Sequence, residues 1–272
     1  MTAYFRNLLL ATEHTEFDAG AERVALALAR HCDLPLGAIV PLVSNPEYEA
    51  VAPQLVARIE AEAMFRIAGL QALADEARVA LEVRVRRGEE PWQEIVAEAA
   101  ARRADLLVTR RRGKRGFLAN LLVGDMVAKV ATHAPCHVLM VPRSGAMWQH
   151  GILAAIDTSP TAERVVAVAS AVAAQCGLPL TLVHVAHEDE LVSANATLVK
   201  AVAEAASHGV RASAQIITGK VHEAVIAALP RLGADLLVVG VHGEDAVERA
   251  ALGSNARKLI ALAETPVLVV RP

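Results

Sequence analysis

Asp235-Leu236-Leu237-Val238-Val239-Gly240-Val241-His242-Gly243, then nine residues, then Gly253-Ser254-Asn255-Ala256-Arg257-Lys258-Leu259-Ile260: this stretch reads as a short buried strand, a glycine loop and a helix start. An unbroken branched apolar run predicts the strand, and apolar spacing after a small polar start predicts the helix. Glycines permit positive φ and let a ligand approach the backbone, and the first helical turn offers N–H groups without intrahelical partners. Together they make an anion site whose expected guest is a phosphate.

The same alternation fills the rest of the C-terminal half, with strands expected at 151–156, 180–185, 211–216, 235–239 and 266–270 and helices near 160–176, 190–207, 220–232 and 253–263. Strands near 7–12, 36–42, 80–85, 105–109 and 137–141 repeat the pattern in the N-terminal half. Nearly continuous Val, Ile and Leu in the strands implies mainly parallel sheets covered by helices on both faces, a Rossmann-like α/β architecture. Ligands of such sheets bind outside the carboxyl ends of the strands, at the switch point, and the glycine loop leaves one of those ends.

The chain is one design written twice. Ala21-Glu22-Arg23-Val24 returns as Ala162-Glu163-Arg164-Val165, Leu34-Pro35-Leu36 as Leu178-Pro179-Leu180, and Ala104-Asp105-Leu106-Leu107-Val108 as Ala234-Asp235-Leu236-Leu237-Val238. Cys32 and Cys176 each stand two residues before their Leu-Pro. Matches in constant order favour duplication over chance. The polar stretch Pro142-Arg143-Ser144-Gly145 divides the chain into domains expected at 1–144 and 145–272.

With 272 residues, each half is long enough to bury a core. Only 3% of the chain is aromatic, which argues against stacking platforms for single-stranded nucleic acid. A net charge of −3 gives no global attraction to DNA or anionic membranes. The three cysteines, Cys32, Cys136 and Cys176, lack CxxC spacing, so neither a disulfide framework nor a zinc site is expected. The apolar run after Asn7 is too short for a signal peptide, and no run approaches the roughly 18 residues of a membrane span. A cytoplasmic location is the expectation.

Gly240-x2-Gly243-x9-Gly253-Ser254 after a strand, with an aspartate ending the first strand of the same half (Ile152-Leu153-Ala154-Ala155-Ile156-Asp157), resembles the universal stress protein family. The resemblance covers both halves, as in tandem-domain members. It implies an adenine-nucleotide-alpha-hydrolase-like fold and an intrachain pseudo-dimer in which the fifth strands, His137–Val141 and Pro266–Val270, pair across a pseudo-twofold. A further homodimer is a second expectation. It also implies that ATP or another adenine nucleotide is held, with or without Mg²⁺, by Asp157, Val185, Val239, Gly240, Gly243, Gly253, Ser254 and Asn255. The role implied is a stress-response sensor or regulator. The residue chemistry agrees: a strand-end carboxylate accepts from ribose hydroxyls or an exocyclic amine, and Ser254 donates to phosphate oxygen.

The twin segment in the N-terminal half departs from this pattern. Thr109-Arg110-Arg111-Arg112-Gly113 is followed after ten residues by Gly124-Asp125, so Arg110 matches Gly240, Asp125 matches Ser254 and Glu13 matches Asp157. If the first position requires positive φ, arginine there costs about 1–2 kcal/mol. The nucleotide motif of this half reads as degenerate. Arg110, Arg111, Arg112, Lys114 and Arg115 nevertheless crowd cations around the lost loop. Arginine binds phosphate in a bidentate manner. A competing expectation is therefore a nucleotide-independent module that takes a different anion, a lipid headgroup or an acidic partner through Arg110, Arg111, Arg112 and Arg115; the plainer reading is a solvated loop.

Glu244, Asp245 and Glu248 lie inside the retained loop, where acids repel a polyphosphate; either they face solvent, they help hold a divalent metal, or the preferred ligand carries fewer phosphates. His242 is placed to touch a phosphate. His184 and His187, with Glu188 and Asp189 nearby, invite a metal reading, yet on a strand that spacing points the two rings to opposite faces. No catalytic residue is expected: Gly-x4-Gly-Lys-Ser/Thr, Gly-x-Ser-x-Gly and His-Glu-x-x-His are all missing from the sequence. Slow nucleotide hydrolysis stands as a third reading, tested at Asp157.

Overall fold

The computed structural model describes residues 4–44, 51, 53–111, 125–241 and 252–272. The N-terminal half runs β1 (Leu8–Ala11), α1 (Ala19–Cys32), β2 (Leu36–Val43), α2 (Pro53–Ala77), β3 (Leu81–Gly88), α3 (Pro91–Ala101), β4 (Leu106–Arg110), α4 (Asp125–His133) and β5 (His137–Val141). The C-terminal half repeats the order with β6 (Ile152–Ile156), α5 (Ala162–Cys176), β7 (Leu180–Val185), α6 (Leu191–Ser207), β8 (Ala212–Ile217), α7 (Val221–Arg231), β9 (Leu236–Gly240), α8 (Ser254–Leu262) and β10 (Val267–Val270).

All these strands join one ten-stranded sheet, ordered β3-β2-β1-β4-β5-β10-β9-β6-β7-β8. Within each half every pairing is parallel; at the seam β5 meets β10 antiparallel, with Leu139 opposite Leu268. The expected pairing of fifth strands therefore joins the two halves. Central strands are buried throughout because helices cover both faces, as their unbroken apolar sequences require. Leu10, Val108, Ala154 and Val238 pack with α1, α2, α5 and α6 on one face. Leu9, Leu107, Leu153 and Val239 pack with α3, α4, α7 and α8 on the other.

Two arginines fasten the halves across the seam. Arg271, just past β10, donates from one guanidinium nitrogen to the carbonyls of Ala131 (3.3 Å) and Thr132 (2.6 Å) in the last turn of α4. Arg111, just past β4, donates to the carbonyl of Ile260 in α8 at 3.3 Å. Each cation sits at the negative end of a helix from the opposite half, where the macrodipole favours it. Gln175, next to Cys176, donates to the Cys32 sulfur (2.8 Å), so the two matching cysteines also lie near the seam.

The repeated Asp105 and Asp235 have a common task. Asp105 accepts from the backbone N–H groups of Arg6 and Asn7, while Asp235 accepts from those of Gln149, His150 and Gly151. Each carboxylate pins the segment that enters the first strand of its half. Burial pushes the Asp235 carboxyl up, but the N–H groups of Gln149 and Gly151 and the His150 ring outweigh it and hold it below the usual range.

The halves differ at their helix ends. After α5, α6 and α7 the chain turns through Gly177, Gly209 and Gly233 at φ of 66°, 75° and 63°. The matching turns after α1, α2 and α3 use Asp33, Arg78 and Arg103 at φ of 53°, 57° and 51°. The equivalence is fixed by the closing bond that follows each turn: Leu34, Val79 and Ala104 in one half, and Leu178, Val210 and Ala234 in the other, return an N–H to the helix five residues back.

Candidate functional site

In the C-terminal half, β6 lies between β9 and β7, so the crossovers from it leave in opposite directions and open a crevice at the carboxyl ends of β6 and β9. Register pairs Ala155 with Val239 and Ile156 with His184. One residue further, Asp157 stands between Val185 and Val241. Leu153, Val183 and Val239 share the face covered by α7 and α8, and half-buried Ala155 and Val185 pack against them.

Asp157 is oriented by its own loop. Its Oδ1 accepts from the Ser159 N–H (3.0 Å) and the Ser159 hydroxyl, and that hydroxyl lies 2.8 Å from Thr161 Oγ1. Among the described residues Oδ2 has no such bond and remains an acceptor.

Gly253 ties the start of α8 to the end of β9: its N–H donates to the Val241 carbonyl (3.0 Å) and its own carbonyl accepts from Arg257 (2.9 Å). Among the described residues no side chain caps this helix. The N–H groups of Ser254, Asn255 and Ala256 thus lack intrahelical partners and carry the positive end of the dipole. Ser254 is exposed, and Gly253 and Asn255 are half-buried.

These observations bring Asp157, Val185, Gly240, Gly253, Ser254 and Asn255 to one crevice. Val239, at 3% exposure, is core beneath it. Gly243, His242 and the three loop acids lie outside the described residues. Neither described glycine of the motif needs positive φ: Gly240 ends a strand and Gly253 sits at φ −55° and ψ 148°. Their smallness serves close approach, and the anticipated φ penalty for arginine at the first position does not arise.

His184 is buried on the opposite face, packed among strands and helices, while exposed His187 donates its backbone N–H to Glu190. Among the described residues no three His, Cys, Asp or Glu side chains gather as a metal would need. Burial pushes the Cys136 thiol up to about 12 and raises those of Cys32 and Cys176, which leaves none as a ready thiolate.

The twin site is built differently. Register aligns Ala11 with Thr109 as Ala155 aligns with Val239, so Glu13 corresponds to Asp157 and Arg110 to Gly240. Arg110 is 6% exposed and turned inward. Its Nη1 donates to both oxygens of Asp18 at 3.2 Å and its Nη2 to Glu13 at 2.7 Å. Asp18, 1% exposed, also accepts from the Thr15 N–H and hydroxyl. Close by, Glu22 accepts from the Thr12 hydroxyl (2.6 Å) and lies 3.0 Å from His14 Nδ1.

Arg111 is buried as well, reaching Ile260. Of the arginine cluster expected to meet an anion, two members thus point into the protein, and Arg112, Lys114 and Arg115 lie outside the described residues. Asp18 and Glu22 escaped sequence reasoning. Their signal was available: an arginine in a strand-end glycine position calls for a carboxylate, and Glu22 interrupts the apolar face of α1.

Residues 4–142 and 150–271 each match the model of the Universal stress protein family. The chain is 37% identical over 134 residues to the universal stress protein in the QAH/OAS sulfhydrylase 3'region of Thermus aquaticus, covering 44% of this chain and 97% of that one. It is 31% identical over 136 residues to universal stress protein A homolog 1 of Coxiella burnetii, covering 44% and 94%. A universal stress protein structure from Archaeoglobus fulgidus superposes over 100% of this chain and 98% of its own, with a TM-score of 0.72 at 18% identity, which shows the shared fold. Among the described residues no helix is long and apolar enough to cross a membrane.

Proposed function

The chain belongs to the universal stress protein family, with two copies of the family fold in tandem, and we propose that its C-terminal half binds one adenine nucleotide as a stress-linked sensor. The observation that carries this reading is the tie from Gly253 to Val241, which sets the first N–H groups of α8, without intrahelical partners, beside the strand end that presents Asp157. Phosphate oxygens would take the N–H groups of Ser254 and Asn255 and the Ser254 hydroxyl. Oδ2 of Asp157 would accept from the ribose or the exocyclic amine, and Val185 would line the adenosine end. A sensor needs only that ligand contacts differ between two states of the protein.

Calorimetric titration with ATP, ADP and AMP, with and without Mg²⁺, tests the assignment. One nucleotide per chain is expected, with affinity at least about tenfold weaker in Gly253→Ala/Ser254→Ala. No binding of any of the three, or binding indifferent to that double substitution, would overturn it.

A further inference from the structure

We propose that the N-terminal half carries a permanent occupant: the Arg110 guanidinium fills the position that corresponds to the nucleotide site, whose walls form a receptor for a guanidinium cation. The correspondence rests on the function proposed above; the cation chemistry stands on its own contacts. Arg110 ends β4 where Gly240 ends β9, and it bridges Glu13 at the end of β1 to Asp18 at the start of α1. Their counterparts in the other half are the end of β6, which presents Asp157, and the start of α5.

The walls suit this guest. Asp18 precedes α1 where the hydroxyl of Thr161 precedes α5. Asp18 and Glu22 are 1% and 3% exposed, and Glu13 adds a third carboxylate. Nη1 meets both oxygens of Asp18 while Nη2 reaches Glu13, a division of labour that a planar fork performs and a lysine ammonium does not. Without the guanidinium, a buried carboxylate would lose its charged partner, the situation in which breaking a buried pair is most destabilising.

Thermal unfolding of the full chain, with no nucleotide present, tests this. Arg110→Ala is expected to melt about 10 °C below the parent. Millimolar methylguanidinium chloride should restore a substantial part of that loss in Arg110→Ala and leave the parent unchanged. Arg110→Ala/Asp18→Asn should regain stability without the cation and no longer respond to it. Equal melting of Arg110→Ala and the parent, or equal rescue by sodium chloride at matched ionic strength, overturns the proposal. Should Arg110→Ala not fold, the double variant is still expected to fold, and its failure would count against the proposal. Because nucleotide never enters, this result is read independently of the titration above.

Discussion

The two halves share strand order, helix placement and the pinning aspartate, and they part at the residue that ends the fourth strand. Gly240 ends its strand without a side chain, whereas Arg110 ends the matching strand paired with two carboxylates. The contrast extends to the turns, where the C-terminal half uses glycine and the N-terminal half holds Asp33, Arg78 and Arg103 in the left-handed region. One fold thus supports two differently built strand ends, because the sheet fixes the frame and a few strand-end residues decide what stands there.

The strongest way to break the comparison is to move the arginine. Gly240→Arg should weaken nucleotide binding at least about 100-fold by titration, because the side chain fills the crevice. Adding Thr161→Asp should let that arginine pair, raising the melting temperature of the variant while leaving binding lost. Tighter nucleotide binding by Gly240→Arg would refute the equivalence of the two positions.

Acid sensitivity sharpens the comparison at the seam, where His137 in β5 has Pro266 as its counterpart before β10. Burial, with Arg164 and Arg271 nearby, pushes the His137 ring down to about 4, so the folded chain keeps it neutral. The unfolded chain takes up a proton below about 6.5, so stability should fall by about 3 kcal/mol as pH drops from there to about 4. Denaturant titrations across that range should show a flatter dependence in His137→Gln; an unchanged slope would remove the ring from the account.

The pinning aspartates should rank next. Asp235→Ala leaves three backbone N–H groups without their acceptor and should cost about 2 kcal/mol by denaturant unfolding, against about 1 for Asp105→Ala, which strands two. Because the Asp235 carboxyl is held low, its contribution is present above about pH 4 and fades as pH falls below that.

The smallest effect concerns the turns. Relief of a left-handed arginine, about 1–2 kcal/mol, exceeds the entropy that a glycine adds to the unfolded chain, about 0.4–1. Arg78→Gly and Arg103→Gly should each stabilise by about 0.5–1 kcal/mol by the same measurement, and Gly209→Arg and Gly233→Arg should do the reverse.

Much of the architecture was legible because it follows from local patterns. Apolar runs placed the central strands within about two residues of their observed ends, and the matched Leu-Leu-Val runs aligned β4 with β9 before any coordinate did. The edge strand β3 was read short, since its far end, Arg86-Arg87-Gly88, alternates outside the core and carries no apolar signal. The glycines stood out by their spacing, and Asp157 through the family resemblance. Arg110 was not understood, because a run of arginines looks solvated and its partner Asp18 lies 92 residues away in sequence. The strained turns were hidden for a related reason: glycine announces a left-handed turn, and arginine does not.

Joining the halves in one chain has a genetic consequence, seen at the β5–β10 seam. A dimer of identical subunits must alter both of its pockets with every mutation, so losing one means losing two. Here each pocket is spelled by its own codons. Residue 110 can be arginine while residue 240 is glycine, so each strand end can change without its twin.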